Sequence, residues 1–365
     1  MRVAVLTFWD SRRNYGQVLQ AYALQRYLRE CGHDPYLIKY RHWKHKKNRS
    51  RVRKTLSDIG DRFATNPFDS FRKQLRFSKS YWSNEDLVRQ PPEADIYIVG
   101  SDQVWNPNFI VPVEPYFLRF GDADVPRIAY AASFGHQDLP DECKEAFAHH
   151  LKTLDAISVR ETSGVQICNE LGIRNARYVV DPVFLLRVED WDALSLGAPN
   201  RKQGSTANCF IYTIKSRGIP LLESAEDYLE SSAQFYRTKL TLHSNEKPKN
   251  QPGISEWLRK IQTADLVVTN SFHATAFCII FHTNFIALLA SGESEGMNQR
   301  LINLLESVGL SEKILQTDTD IESRIESPID WDAVDAKIAM LREDSENYLN
   351  LESYRRRDAT SNRVN

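Results

Sequence analysis

The sequence predicts an α/β protein built as two facing Rossmann-like lobes. Three observations predict it: a βαβ opening over Arg2 to Tyr40, a second series of short buried strands and helices from Asn208 to Val308, and a linker-like stretch, Gly197 to Gly204 (GAPNRKQG), between them. A length of 365 residues exceeds what one small core supports and suits two domains.

In the first lobe, Arg2 to Phe8 is an apolar run of the kind a buried parallel strand needs. Gln17 to Cys31 reads as a helix, with Leu24, Tyr27, Leu28 and Cys31 at i, i+3, i+4 and i+7 and Gly32 as its left-handed stop. Pro35 to Tyr40 closes the βαβ unit. Asp95 to Val99, Arg127 to Ala132, Ala156 to Val159 and Arg177 to Val180 are further strands. In the second lobe, Asn208 to Ile214, Asp265 to Thr269 and Asn284 to Leu288 read as strands. Ser255 to Gln262, Ser271 to Phe281 and Asn298 to Val308 read as helices. The expected division is a first lobe over 1–197, a second over 198–330, and a polar helical tail over 331–365.

Residues Lys39 to Lys54 (KYRHWKHKKNRSRVRK) form a dense basic run, and aromatics including Phe63, Phe68, Phe71, Phe77 and Tyr81 follow. The stretch from about 41 to 90 reads as a basic helical insertion outside the sheet. A charge run is commonly a solvated face. The sharper reading is that it docks on an anionic membrane, each Lys or Arg contributing on the order of 1 kcal/mol. Nucleic-acid binding is the third reading, and a Rossmann-type cleft gives it no support.

The net charge of -1 carries no information about a polyanionic partner. Five scattered cysteines without a C-x-x-C pair argue against a disulfide framework and a zinc cluster, so no metal is expected. The opening MRVAVLTF reads as a strand rather than a signal peptide, and no run of about eighteen apolar residues is present. The expected location is cytoplasmic, with the inner face of the cell membrane as the site of any peripheral attachment.

Ligands of open α/β sheets collect at strand carboxyl ends, where helix N-termini favour anions. Four segments place unusual residues there. Asn14-Tyr15-Gly16 precedes the first long helix. Ser101 and Asp102, with Trp105 and Asn106, follow a buried strand. Arg160 stands at a strand end, able to clamp a carboxylate or phosphate or to pair with a neighbour. The strongest is Thr269 to Thr275, where a buried strand leads into a helix whose first turn carries Ser271 and His273, a side chain that titrates near neutrality. The other eight histidines read as surface or helix residues.

Six strings in order, NYGQVLQAYALQRYLRECG, IVGSDQVWNP, YAASFG, SVRETSG, VVDPVFLL and ADLVVTNSFHATAFCIIF, make the chain resemble the polysaccharide pyruvyl transferase family from Arg2 to about Leu310. The resemblance implies a GT-B-like fold. It also implies an enzyme that transfers a pyruvyl group from phosphoenolpyruvate to two hydroxyls of a hexose as a cyclic ketal, commonly 4,6-linked, with the donor as substrate and no cofactor. Polysaccharide biosynthesis, of a capsule or exopolysaccharide, is the implied setting, with the sugar free or carried on a lipid diphosphate. By motif, His273 would be the acid and base, and Asp102 would orient or deprotonate an acceptor hydroxyl. Arg160, Arg300 and Ser271 would bind the donor, and Asn14, Tyr15, Gly16, Ser101, Trp105 and Asn106 the acceptor. Two departures stand out: Arg300 replaces a lysine found in some members, and Phe272 precedes His273 in place of the family's arginine, leaving a cation for Lys215 to supply.

Two other classes share these features. A GT-B nucleotide-sugar glycosyltransferase would need a carboxylate for a ribose in the second lobe, and no glutamate suits that role. A non-catalytic carbohydrate-binding protein of the same fold would have lost His273 or Arg160, and both are present.

Overall fold

Strand β1 (Arg2–Leu6) lies in the interior of a seven-stranded parallel sheet. On one side are β2 (Asp34–Tyr40) and β3 (Phe77–Tyr81); on the other are β4 (Ile96–Val99), β5 (Arg127–Ala132), β6 (Ala156–Val159) and β7 (Arg177–Tyr178). The order 3-2-1-4-5-6-7 reverses direction at the β1/β4 boundary, and that boundary opens a crevice at the strands' carboxyl ends. Strands β1 and β4 are buried along nearly their whole length, which explains their continuous apolar runs. These are features of a computed structural model that describes residues 1–41, 67–109, 114–195, 207–214, 218–232, 235–242 and 251–354.

Helices lie in the crossovers of this lobe except that between β4 and β5, where the described residues form only a 3-10 turn at Glu114–Phe117. Helix α1 (Tyr15–Glu30) starts at Asn14, whose side chain accepts from the Gln17 amide, and stops before Gly32 at φ 81°. The others are α2 (Pro67–Arg72), α3 (Asn84–Arg89), α4 (Asp141–Leu151), α5 (Thr162–Glu170) and α6 (Val188–Ser195).

The second lobe is a four-stranded parallel sheet in the order β11-β10-β8-β9, from β8 (Ala207–Ile214), β9 (Phe235–Leu242), β10 (Leu266–Thr269) and β11 (Phe285–Ala287). Its helices are α7 (Leu222–Ser231), α8 (Ile254–Gln262), α9 (Phe272–Ile280), α10 (Asn298–Val308) and α11 (Ile321–Glu326). One apolar core runs through both lobes. At the junction Tyr15 stacks on Trp257 with ring centroids 4.7 Å apart, and its hydroxyl donates to the Pro252 carbonyl at 2.8 Å.

Two expectations need correcting. Residues 77–81 form edge strand β3, paired with β2, where a helical insertion was expected. Phe77 and Tyr81 are four apart, a spacing that one face of a strand satisfies as well as a helix does. The basic run beyond Arg41, residues 42–66, lies outside the described residues. The tail is integral to the first lobe: α12 (Trp331–Tyr348) returns to it, Ser345 Oγ accepting from the Val180 amide and Tyr348 Oη donating to the Ala129 carbonyl. Strand β9 and helix α7 were not foreseen. No helix among the described residues is long and apolar enough to cross a membrane.

Candidate active site

The crevice collects the ends of β1, β4, β5 and β6 from one lobe and the β10–α9 turn from the other. Asp102, just past β4, has φ 79°, left-handed backbone that a non-glycine residue holds only when its surroundings enforce it. Here the Asp102 carbonyl accepts from the Val104 and Ser133 amides at 2.7 and 3.1 Å, and its own carboxylate accepts from the Gln103 amide at 2.8 Å.

Asp181 is the hub. Its Oδ2 accepts from Arg160 Nη1 at 2.6 Å and from Ser101 Oγ at 2.8 Å, and it lies 3.6 Å from His273 Nε2. Its Oδ1 accepts from the Val183 amide at 3.2 Å. Burial alone would raise this carboxyl's pKa, but His273 and then Arg160 outweigh it and hold the group well below the usual carboxylate range. Asp181 is thus a fixed anion behind the histidine ring.

His273 sits in the first turn of α9, which Ser271 caps by accepting from the Ala274 amide at 3.3 Å. The ring crosses between lobes to lie against Gly16 in the first turn of α1. A β-carbon at position 16 would come within 2.6 Å of His273 Cε1 and closer still to Nδ1, so only glycine permits this approach.

Arg160 is fully buried. Besides Asp181 it touches Ser101 Oγ at 3.1 Å, stands 3.7 Å from Asp102 and 4.0 Å from Glu161, and lies over the Phe272 ring at 4.8 Å. It is therefore not presented to the cleft as a donor clamp: three carboxylates hold it inward and Phe272 covers it. Arg300, from the start of α10, occupies the opposite position. Its side chain makes no hydrogen bond or ion pair with the described residues, and burial, reinforced by Arg160, pushes its guanidinium down to about 10, still a cation at neutral pH.

Asp102, Ser271, Phe272, His273 and Arg300 line a chamber of about 200 Å³ between the lobes. It adjoins a wider cavity of about 460 Å³ in the first lobe, and Asn14, Asp102, Gln103 and Phe109 border both. Other expected site residues lie elsewhere. Tyr15 is spent in the inter-lobe aromatic stack. Trp105 is a core residue whose Nε1 donates to the Tyr116 carbonyl at 2.9 Å. Ser101 serves Asp181 from beneath, and Asn106 is tied to Gln103 and His136. Lys215 lies outside the described residues. Sequence reasoning missed Asp10, Gln17, Gln103 and Asp181. The last was legible as an Asp-Pro after a strand, within a string already singled out.

Two parallel sheets face each other across a cleft with a histidine-carboxylate pair and a buried arginine, and this arrangement defines a GT-B-like molecule with an active-site cleft. The sequence model of the polysaccharide pyruvyl transferase family matches residues 14–291, and the chain belongs to that family. Among solved structures it is similar to an α-glucosyltransferase in complex with UDP and a 13-mer DNA, at 10% identity and TM-score 0.51, with 97% of each chain covered. It is also similar to the spinosyn rhamnosyltransferase SpnG, at 12% identity and TM-score 0.41, covering 95% of this chain and 96% of that one. A third is the UDP-GlcNAc 2-epimerase from Methanocaldococcus jannaschii, at 11% identity and TM-score 0.48, covering 90% and 92%. At these identities the likeness speaks to the fold alone. No curated protein sequence matches the chain.

Proposed function

We propose that this pyruvyl transferase uses phosphoenolpyruvate and forms a cyclic ketal, 4,6-linked, on a hexose of a polysaccharide or of its lipid-linked precursor. The observation that carries the reading is the pairing, in one chamber, of His273 backed by the Asp181 anion with Arg300, a cation without a hydrogen bond or ion pair among the described residues. Phosphoenolpyruvate brings a carboxylate and a phosphate, and Arg300 with the N-terminus of α9 answers that charge.

His273 gives a proton to the methylene carbon of the enol while an acceptor hydroxyl oxygen bonds to the adjacent carbon. Asp181 steadies the imidazolium before this step. Phosphate departs with the electrons of its bond to that carbon, the second hydroxyl bonds in its place, and the hydroxyl protons pass to the base and to phosphate. One phosphoenolpyruvate and one diol thus give one ketal and one phosphate, with no water consumed. Asp102, on the border of both cavities, is placed to accept a hydrogen bond from an acceptor hydroxyl. The basic run at residues 39–54 supports a lipid-diphosphate acceptor met at an anionic membrane surface. The test is phosphate release from phosphoenolpyruvate with a panel of galactoside, mannoside and lipid-linked acceptors: acceptor-dependent release is expected, and none with any acceptor would overturn the reading.

A further inference from the structure

The two adjoining cavities differ in charge. The chamber beside His273 carries Arg300 as well as Asp102, whereas the only charged side chains lining the 460 Å³ cavity, among the described residues, are Asp10 and Asp102. Arg41 and Arg72 stand behind Asp10 without lining the cavity. Arg41 packs on the rings of Trp9 and Trp82 at 5.2 and 5.3 Å, and Arg72 is bonded to the Trp9 and Ser11 carbonyls.

The remaining lining is amide and aromatic. Gln17 is fixed across the floor, its Oε1 accepting from the Ser11 amide at 2.8 Å and its Nε2 3.5 Å from Asp102 Oδ2. Gln103 has its Oε1 taken by Asn106 Nδ2 at 2.7 Å, while its Nε2 makes no hydrogen bond with the described residues. A β-carbon at Gly135, which has φ 70°, would overlap Gln103 Oε1, so that glycine keeps the amide in this orientation. Phe8 and Phe109 supply apolar faces. Carboxylates that accept, amide edges that donate and rings that pack on C–H faces are what a pyranose requires.

We propose that the larger cavity is the subsite for an uncharged hexose, and that Asp10 is the residue that selects against acidic sugars. The inference rests on the ketal-transfer reading of the chamber next to it. A hexuronate here would set its carboxylate against the like charges of Asp10 and Asp102, the two charged side chains that line the cavity. A neutral hexose offers hydroxyl protons to the same two groups. The anionic donor and the neutral acceptor are thus sorted to adjacent cavities by charge before any chemistry occurs.

The experiment is ligand-observed NMR on the full chain, without phosphoenolpyruvate, using matched methyl glycosides and methyl hexuronides of the gluco, galacto and manno series. Wild type should bind at least one neutral glycoside at least tenfold more tightly than its uronide. Asp10→Asn, nearly isosteric, should cut that preference at least fivefold by admitting the uronide, and Asp10→Ala should weaken the neutral glycoside. Equal binding of both members of every pair, an undiminished preference in Asp10→Asn, or no binding at all would overturn the proposal. His273→Ala is expected to keep the wild-type preference, so the sugar subsite is judged independently of whether pyruvyl transfer occurs.

Discussion

Gly16 and His273 come from opposite lobes and touch: the hydrogen-only side chain of Gly16 is the space that the His273 imidazole fills. The helix starting at Asn14 is thereby coupled to the chemistry, since its first turn forms one wall of the histidine's seat.

Gly16→Ala tests that coupling. In an unobstructed helix the change would stabilise by up to about 1 kcal/mol. Here the new methyl must displace the His273 ring, so pyruvyl transfer should fall by about 100-fold or more while the protein stays folded. Adding His273→Ala should restore thermal stability to at least the wild-type value without restoring activity. Wild-type turnover in Gly16→Ala would show that the seat is not needed.

Arg160 and Asp181 make a structural prediction with a defined pH dependence. Removing either partner takes from a buried charge its closest counter-charge, at a cost of up to about 3–5 kcal/mol. Asp181 has its pKa lowered on folding, so its stabilisation is complete above the ordinary carboxyl value of 3.8 and is lost as pH falls below that towards the lower folded value. The stability gap between wild type and Asp181→Asn, followed by urea unfolding, should be full at pH 7 and shrink only in the acid range below 3.8. Arg160→Met should unfold earlier than wild type. Unchanged stability with a raised KM for phosphoenolpyruvate would instead mark Arg160 as a donor clamp.

Arg300→Gln should behave in the opposite way. It removes a buried cation that has no hydrogen bond or ion pair among the described residues, so stability should hold or rise. The KM for phosphoenolpyruvate should rise about tenfold or more with the loss of a charge-assisted contact. An unchanged KM would mean that the donor does not reach this side chain.

The sequence made the strands β5 and β6 and the helix α10 legible because each is a self-contained apolar pattern. The N-terminus of α9 was legible for the same reason, and His273 with it. The direction of the Arg160 side chain was not. Its partners Asp181 and Ser101 are 21 and 59 residues away, and only the assembled sheet shows that they bury it. Tyr15 and Trp105, assigned to the acceptor by motif alone, are drawn into cores by tertiary packing that no local pattern reveals. Asp10 escaped notice because a lone acid in a loop has no periodic signature. Its meaning comes from the cavity it shares with Asp102.

The most direct test of the central claim is mass spectrometry of the acceptor after incubation with phosphoenolpyruvate, comparing wild type with His273→Ala. The expected result is an acceptor carrying one ketal-linked pyruvyl group per phosphate released, formed by wild type and absent with His273→Ala. Transfer of a glycosyl unit from a nucleotide sugar, with phosphoenolpyruvate left intact, would contradict it.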